Sequence, residues 1–354
     1  MTKNLTFLAA AACLIAVGCG TTQEPSTSSS TGGTPAPTGK EVKIVYIPKS
    51  SGNPYFNEVQ KGLEKGAKEF GYTLDVQAPA SADATSQLSI IQDQVQRGVD
   101  VIALSANSPD ALNEALDEAR KKGILVVTID ADLTDNEDHR DIGVLPTDFS
   151  KIGPAQIELL GSQMNYEGDF AILSATTDAP NQNAWIAGMK ETLKDPKYSK
   201  MKLVTTVYGD DQDQKSSTET EGLLTKYPNL KGILSPTSVG LAAAAQVVEN
   251  AGVYPGGKNA KNGGLHLTGL STPAQLKTAV DKGVITGFQL WSPADMGYLA
   301  GYLATNAKNG KIKLAANTEV DGPGGKKVKI GDKGVIFTGD LLTFDKANID
   351  QYKF

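Results

Sequence analysis

The chain of 354 residues is short of the residues that most often carry reactive chemistry. It has two cysteines, Cys13 and Cys19, both within the first twenty positions. Everything after them therefore lacks a disulfide or a cysteine metal site. The two histidines, His139 and His266, argue against a histidine-rich zinc centre or a Ser-His-Asp triad. There is no basic excess: the net charge is −6, whereas nucleic-acid binders usually present a basic surface. No glycine-rich phosphate loop follows a predicted strand, which speaks against a nucleotide site. Long apolar runs are missing too. The segment 5–17 is apolar but too short to span a bilayer, and no second such run occurs.

What is present begins with targeting. Lys3 gives a positive start, 5–17 supplies the apolar core, and Ala16-Val17-Gly18-Cys19 sets small residues before a cysteine. This resembles the bacterial lipoprotein signal box, in which Cys19 becomes the lipidated N-terminus of the mature chain; an ordinary secretory signal cut nearby is the alternative. The expected division is a signal peptide over 1–18 and a lipid-anchored linker over 19–40. The linker is Thr, Ser, Pro and Gly with almost no apolar side chain, a composition that cannot bury enough surface to fold. Its typical reach is about 25 Å.

From position 41 the composition is globular, and the remaining length suits two domains with their own cores. The organising unit is 42–71. Residues 42–47 form a β-branched apolar run that reads as a buried strand. Asn53-Pro54 then offers an N-cap with proline at the first helical position. Val59, Leu63, Ala67 and Phe70 recur at helical spacing, and Gly71 supplies the stop. Strand, loop and helix follow one another, and in open α/β sheets ligands bind at the carboxyl ends of the strands. The loop there carries a cation (Lys49), an amide (Asn53) and two aromatics (Tyr55, Phe56). That set suits a small polar ligand with apolar faces, such as a sugar, and equally suits a capped turn with core aromatics.

The same alternation continues. Strands are expected over 72–77, 99–105, 124–129 and 142–145, with helices over 88–98 and from Ser108-Pro109 to Gly123. The fourth strand delivers Asp130-Ala131-Asp132 at its carboxyl end. A second series follows. Its strands are expected over 170–175, 202–208, 232–235, 265–270 and 285–290, and its helices over 149–165, 181–193, 211–227, 239–250, 273–280 and 293–309. Extended segments over 327–344 close the chain. This predicts an α/β protein with parallel, doubly wound sheets in two similar lobes. Asp210, Asp211 and Asp213 read as caps of the helix that follows them. The acidic run 130–138 faintly suggests a calcium loop. It lacks the sixth-position glycine and twelfth-position glutamate of that motif and reads as a polar surface loop.

At this point a family resemblance emerges. The signal box, Asn53-Pro54-Tyr55-Phe56, Thr128-Ile129-Asp130, Asn181-Gln182-Asn183-Ala184-Trp185, Leu270-Ser271-Thr272-Pro273 and Leu290-Trp291-Ser292-Pro293 together resemble the type I periplasmic sugar-binding proteins of ABC importers. The resemblance covers 42–354. Ile47-Pro48-Lys49, Gln182 and Ala347-Asn348-Ile349-Asp350 bring it to the rhamnose-binding and autoinducer-2-binding branch. It implies two Rossmann-like lobes joined by a three-crossing hinge, near 146–148, 291–293 and 339–342. The N-terminal lobe would comprise 41–147 plus 292–340, and the C-terminal lobe 148–291 plus 341–354. The ligand would lie between them.

The resemblance also implies a pocket. It would use Lys49 and Phe56 from the first loop and Asp130 after the fourth strand. Asn181 and Gln182 stand where autoinducer-2 binders have an Asp-Gln pair. Pro236-Thr237-Ser238 replaces their Pro-Asp-Ala turn. Ala131 stands where ribose binders carry arginine. A rhamnose-like deoxyhexose or another monosaccharide is the reading left standing. In that pocket Asp130 would accept charge-assisted hydrogen bonds from adjacent hydroxyls, and Lys49 would offset its buried charge. Asn53, Asn181, Gln182, Pro236 and Ser238 would complete the polar wall. Tyr55, Phe56, Trp185 and Trp291 are candidates to cover the sugar faces. Each has a plainer reading as a cap, rim or core residue.

The expected partners are a small sugar, ABC permease subunits and a membrane reached through lipid on Cys19, with no cofactor, metal or nucleic acid and a monomeric state. An autoinducer-2 or other signal receptor is the rival on the same fold. A surface carbohydrate-active enzyme is more distant, because glycosidases need paired carboxylates and only Asp130 is read into the cleft. A transcription regulator of this fold is set aside by the signal box and the missing DNA-binding headpiece.

Overall fold

The computed structural model describes residues 41–354. The expected signal peptide, linker and Cys19 lie outside the described residues. Among those residues, no helix is long and apolar enough to cross a membrane.

The first sheet is parallel throughout. It takes β1 (Val42–Ile47), β2 (Tyr72–Val76), β3 (Val101–Leu104), β4 (Leu125–Ile129), β5 (Ile142–Leu145) and β13 (Val335–Phe337), in the order β13-β5-β4-β3-β1-β2. The second is also parallel. It orders β7 (Lys200–Tyr208), β6 (Glu167–Ser174), β8 (Gly232–Ser235) and β9 (His266–Gly269) as β7-β6-β8-β9. A bridge from Leu270 to Gln289 extends it to β10 (Phe288–Leu290), which pairs antiparallel with β14 (Leu342–Phe344). The chain therefore passes between sheets three times: after β5, after β10 and after β13. Central strands such as β3 and β8 are buried along their whole length, as strands covered by helices on both faces must be.

Helix α1 (Pro54–Phe70) shows how local chemistry sets these elements. Asn53 Oδ1 accepts from Tyr55 N at 3.0 Å, Pro54 occupies N1, and Gly71 closes the helix at φ 74°. Its Gly62 faces α9 (Pro293–Lys308), which follows the second crossing. A Cβ on Gly62 would meet Ala294 O at 1.9 Å, and one on Gly297 would meet Val59 O at 2.0 Å. Two bare glycines thus let the helices touch backbone to backbone. That contact fixes the helix bearing Tyr55 and Phe56 against the one that starts just after Trp291.

Three expectations need correction. Helix α3 spans Asn113–Lys121 and does not begin at Ser108. Ser108 Oγ instead accepts from Ala111 N at 3.3 Å, capping a separate turn, and Asn113 N closes that turn onto Asp110 O. The expected extended segments begin one strand too late: β12 (Lys327–Ile330) falls within them, but it pairs antiparallel with β11 (Thr318–Asp321), whose residues are mostly polar and exposed and carry no strand signal. The stretch 130–138 is not simply a surface loop: Asp130, Ala131, Asp132 and Leu133 are all buried.

Candidate ligand-binding site

Every part of the site hangs from the carboxyl end of a strand. Lys49 follows β1, and Asn53, Tyr55 and Phe56 sit at the start of α1. Asp130 follows β4. Asn181, Gln182 and Trp185 lie in the opening turns of α5 (Pro180–Thr192), after β6. Asp211 follows β7, Pro236, Thr237 and Ser238 follow β8, Leu270 follows β9, and Leu290 and Trp291 end β10. All of them line one cavity where the two sheets face each other. The eleven residues singled out by sequence are therefore together, joined by Asp211, Thr237, Leu270 and Leu290.

Asp130 is at the centre. It takes a left-handed backbone, φ 70°, which aspartate tolerates better than most residues. Its carboxylate accepts from Tyr55 OH at 2.7 Å, from Asn181 Nδ2 at 3.2 Å and more weakly from Ser105 Oγ at 3.4 Å. Burial pushes its pKa up, against the downward pull of Lys49. Lys49 is only 3% exposed, so it is not a rim lysine. Its Nζ donates to Asn181 Oδ1 at 2.7 Å rather than directly to Asp130. Burial lowers its pKa, with Asp130 and Asp211 opposing. Asn181 thus relays between cation and carboxylate.

The other polar groups have divided duties. Gln182 Oε1 accepts from Ser174 Oγ at 2.7 Å and Ala175 N at 2.8 Å, so its amide nitrogen is what it can offer a ligand. Asn53 caps α1 with its oxygen and donates Nδ2 across the cleft to Asp211 Oδ2 at 3.3 Å.

The aromatics form an edge-to-face chain. Tyr55 meets Phe56 at 5.1 Å and Trp291 at 6.3 Å, and Trp291 meets Trp185 at 5.7 Å. Trp291 Nε1 donates to Tyr55 OH at 2.7 Å. Tyr55 therefore does more than present a ring: it hands a proton donor to Asp130 and is held in place by Trp291.

Asp211 was misread from sequence. The cap position of α6 (Asp213–Lys226) is Gln212, with no side-chain cap bond, and Asp211 turns inward instead. Its Oδ1 accepts from Thr237 Oγ1, and burial raises its pKa. The signal that finds it is topological, since it follows the carboxyl end of a strand, β7, as Asp130 follows β4. Asp132 does not line the cavity and is tied to Arg140. Among the described residues, no group of three or more His, Cys, Asp or Glu is placed to hold a metal ion.

Two parallel α/β lobes, a three-strand hinge and a buried polar cavity between strand ends define a two-lobed solute receptor. The chain matches the periplasmic binding protein domain family over residues 44–312 and belongs to that family. A family of this kind works outside the cytoplasm. A solute binding protein of an ABC transporter from Clostridium phytofermentas, solved with bound L-rhamnose, is 34% identical. The match covers 88% of this chain and 98% of that one, with a TM-score of 0.81. The D-allose-binding periplasmic protein of Escherichia coli K12 is 27% identical over 278 residues, 76% of this chain and 86% of the relative. LsrB of Clostridium saccharobutylicum, solved with AI-2, shares the fold at TM-score 0.80 and 23% identity, over 88% of this chain and all of that one. The L-rhamnose-bound and D-allose-binding relatives are thus similar to this chain over most of its length.

Proposed function

We propose that the chain captures a monosaccharide, in the first instance a rhamnose-like deoxyhexose, in the cavity around Asp130 and delivers it to an ABC permease. The observation that supports this most directly is the buried set of Asp130, Lys49 and Asn181 beside a wall of aromatic rings. Sugars pair in-plane hydroxyls with apolar C–H faces, and such a set answers both. The L-rhamnose-bound relative supports the choice of sugar. Asn181, in place of the aspartate of autoinducer-2 binders, weighs against autoinducer-2 as the ligand. Two carboxylates in one cavity are also the inventory of a glycosidase. Here each already accepts from fold-internal donors, and the relatives are named as binding proteins.

The mechanism is closure of the lobes as a monomer. Ligand contacts from both sides favour the closed state, and reversing a 1:99 equilibrium needs about 5.5 kcal/mol of differential binding. A thermal-shift panel of rhamnose, ribose, xylose, glucose, galactose and autoinducer-2 tests the reading. One sugar should raise the melting point strongly, since a hundredfold excess over Kd stabilises by about 2.7 kcal/mol. Solution scattering with that sugar should show compaction. A flat panel would remove the monosaccharide from the proposal.

Anchoring is proposed through lipid on Cys19. Acyl chains contribute about 0.8 kcal/mol per buried methylene, so a multiply acylated terminus holds firmly. Cys19→Ser should shift the protein from the membrane to the soluble fraction; continued sedimentation with membranes would refute lipidation at that residue.

A further inference from the structure

Asp211 is a buried carboxylate with no role in the helix it precedes. It is 7% exposed, lines the cavity and stands on the wall opposite the loop of Lys49 and Asn53. The chain enters it through two successive left-handed residues, Asp210 at φ 54° and Asp211 at φ 52°. Non-glycine residues in that region are uncommon and persist where the surroundings hold them. Asp210 turns outward to pair with Lys215, so the turn sends one carboxylate to solvent and one to the cavity. Thr237 and Asn53 each give Asp211 one donor, whereas a carboxylate has about four acceptor positions. Acceptor capacity is left over on a residue that lines the cavity.

The charged groups lining the cavity are Lys49, Asp130 and Asp211. One cation against two carboxylates leaves the lining one negative charge in excess. Lys49 is moreover already engaged by Asn181. We propose that Asp211 is a second ligand-binding carboxylate, and that with Asp130 it restricts the site to uncharged polyhydroxyl ligands with hydroxyls on two opposite edges. This rests on the sugar-binding reading above. Hydroxyl donors satisfy both aspartates at once. A uronate or sugar phosphate brings an anion into a buried lining that already holds surplus negative charge, and among the described residues of that lining the one cation, Lys49, is already engaged.

Isothermal titration of the purified protein tests this with L-rhamnose, D-galactose and D-ribose against D-galacturonate and ribose 5-phosphate. Asp211→Asn keeps a residue that accepts left-handed backbone while removing the charge; Asp211→Ala removes the acceptor. Asp210→Asn, which also keeps a residue that accepts left-handed backbone, is the neighbouring control. The neutral sugar that binds should lose about tenfold or more in affinity in Asp211→Ala and less in Asp211→Asn, with Asp210→Asn unchanged. The wild-type protein should bind neither anion. Asp211→Ala within twofold of wild type, or either anion bound as well as the neutral sugar, overturns the assignment. If the wild-type protein binds no sugar at all, the sugar-binding reading fails first and the assignment falls with it. Loss of the folded circular-dichroism signal in Asp211→Ala shifts the decision to Asp211→Asn, where affinity within twofold of wild type overturns the proposal.

Discussion

Asp130→Ala should weaken binding of the preferred sugar at least about a hundredfold and leave the melting point of the ligand-free protein nearly unchanged. The first half follows from the carboxylate's proposed role. A hydrogen bond to a charged group contributes about 1.5–3 kcal/mol, and a sugar that presents two adjacent hydroxyls to Asp130 loses two of them. Even the lower figure for each exceeds a factor of a hundred in Kd, at about 1.4 kcal/mol per decade. The second half follows from opposing costs. Removing Asp130 leaves Tyr55 OH and Asn181 Nδ2 without their acceptor, takes one counter-charge from buried Lys49 and sets an alanine at φ 70°, all of which destabilise. It also removes a carboxyl whose pKa burial has raised. Such a carboxyl holds its proton more tightly folded than unfolded, so its burial costs stability at neutral pH and acid lifts that cost. The two effects oppose each other. Titration calorimetry and a melting curve read both halves; affinity within threefold of wild type would take Asp130 out of the site.

The sequence made the first unit of this site legible because its punctuation is local. Asn53-Pro54 caps α1 and Gly71 ends it within a span that a single helix defines. The rule that ligands gather at strand carboxyl ends then selected Lys49, Asn53, Tyr55 and Phe56, and the resemblance added Asp130. Across the hinge the same rule needed the resemblance as a guide. The contacts that join the halves are long-range: Lys49 meets Asn181 at 132 residues' separation, and Asn53 meets Asp211 at 158. No periodicity carries that information. Asp211 was hidden for a different reason. A polar residue ahead of a helix reads as a cap, and only the left-handed turn at 210–211 sends its side chain inward. Ser108 misled in the same way, since it caps a turn that is not continued as helix.

The other aspartate of the 130–132 pair should give the opposite phenotype. Asp132→Ala is expected to cost about 3–5 kcal/mol of stability, the usual penalty for removing one partner of a buried ion pair. Sugar affinity in the protein that still folds should stay within a few-fold of wild type. Asp132 accepts from Arg140 Nε at 2.8 Å and Nη2 at 2.6 Å, from Thr128 Oγ1 at 2.6 Å and from Leu133 N at 2.9 Å. The Arg140 side chain is 1% exposed, and its Nη1 donates to Lys333 O at 2.6 Å, tying β4 to the turn before β13. Alanine at 132 would strand a guanidinium in the interior with no counter-charge beside it. A shift of roughly 10 °C in Tm follows from about 3–5 kcal/mol in a chain of this size. Pairing the change with Arg140→Met should recover part of that loss, because the unpaired charge is then gone as well. A drop of less than about 2 °C in the single variant would mean that Arg140 reaches water or another acceptor. A collapse of affinity alongside normal melting would instead move Asp132 into the binding site. Two carboxylates two positions apart in the chain are thus separable by experiment, because one faces the cavity and the other faces an arginine.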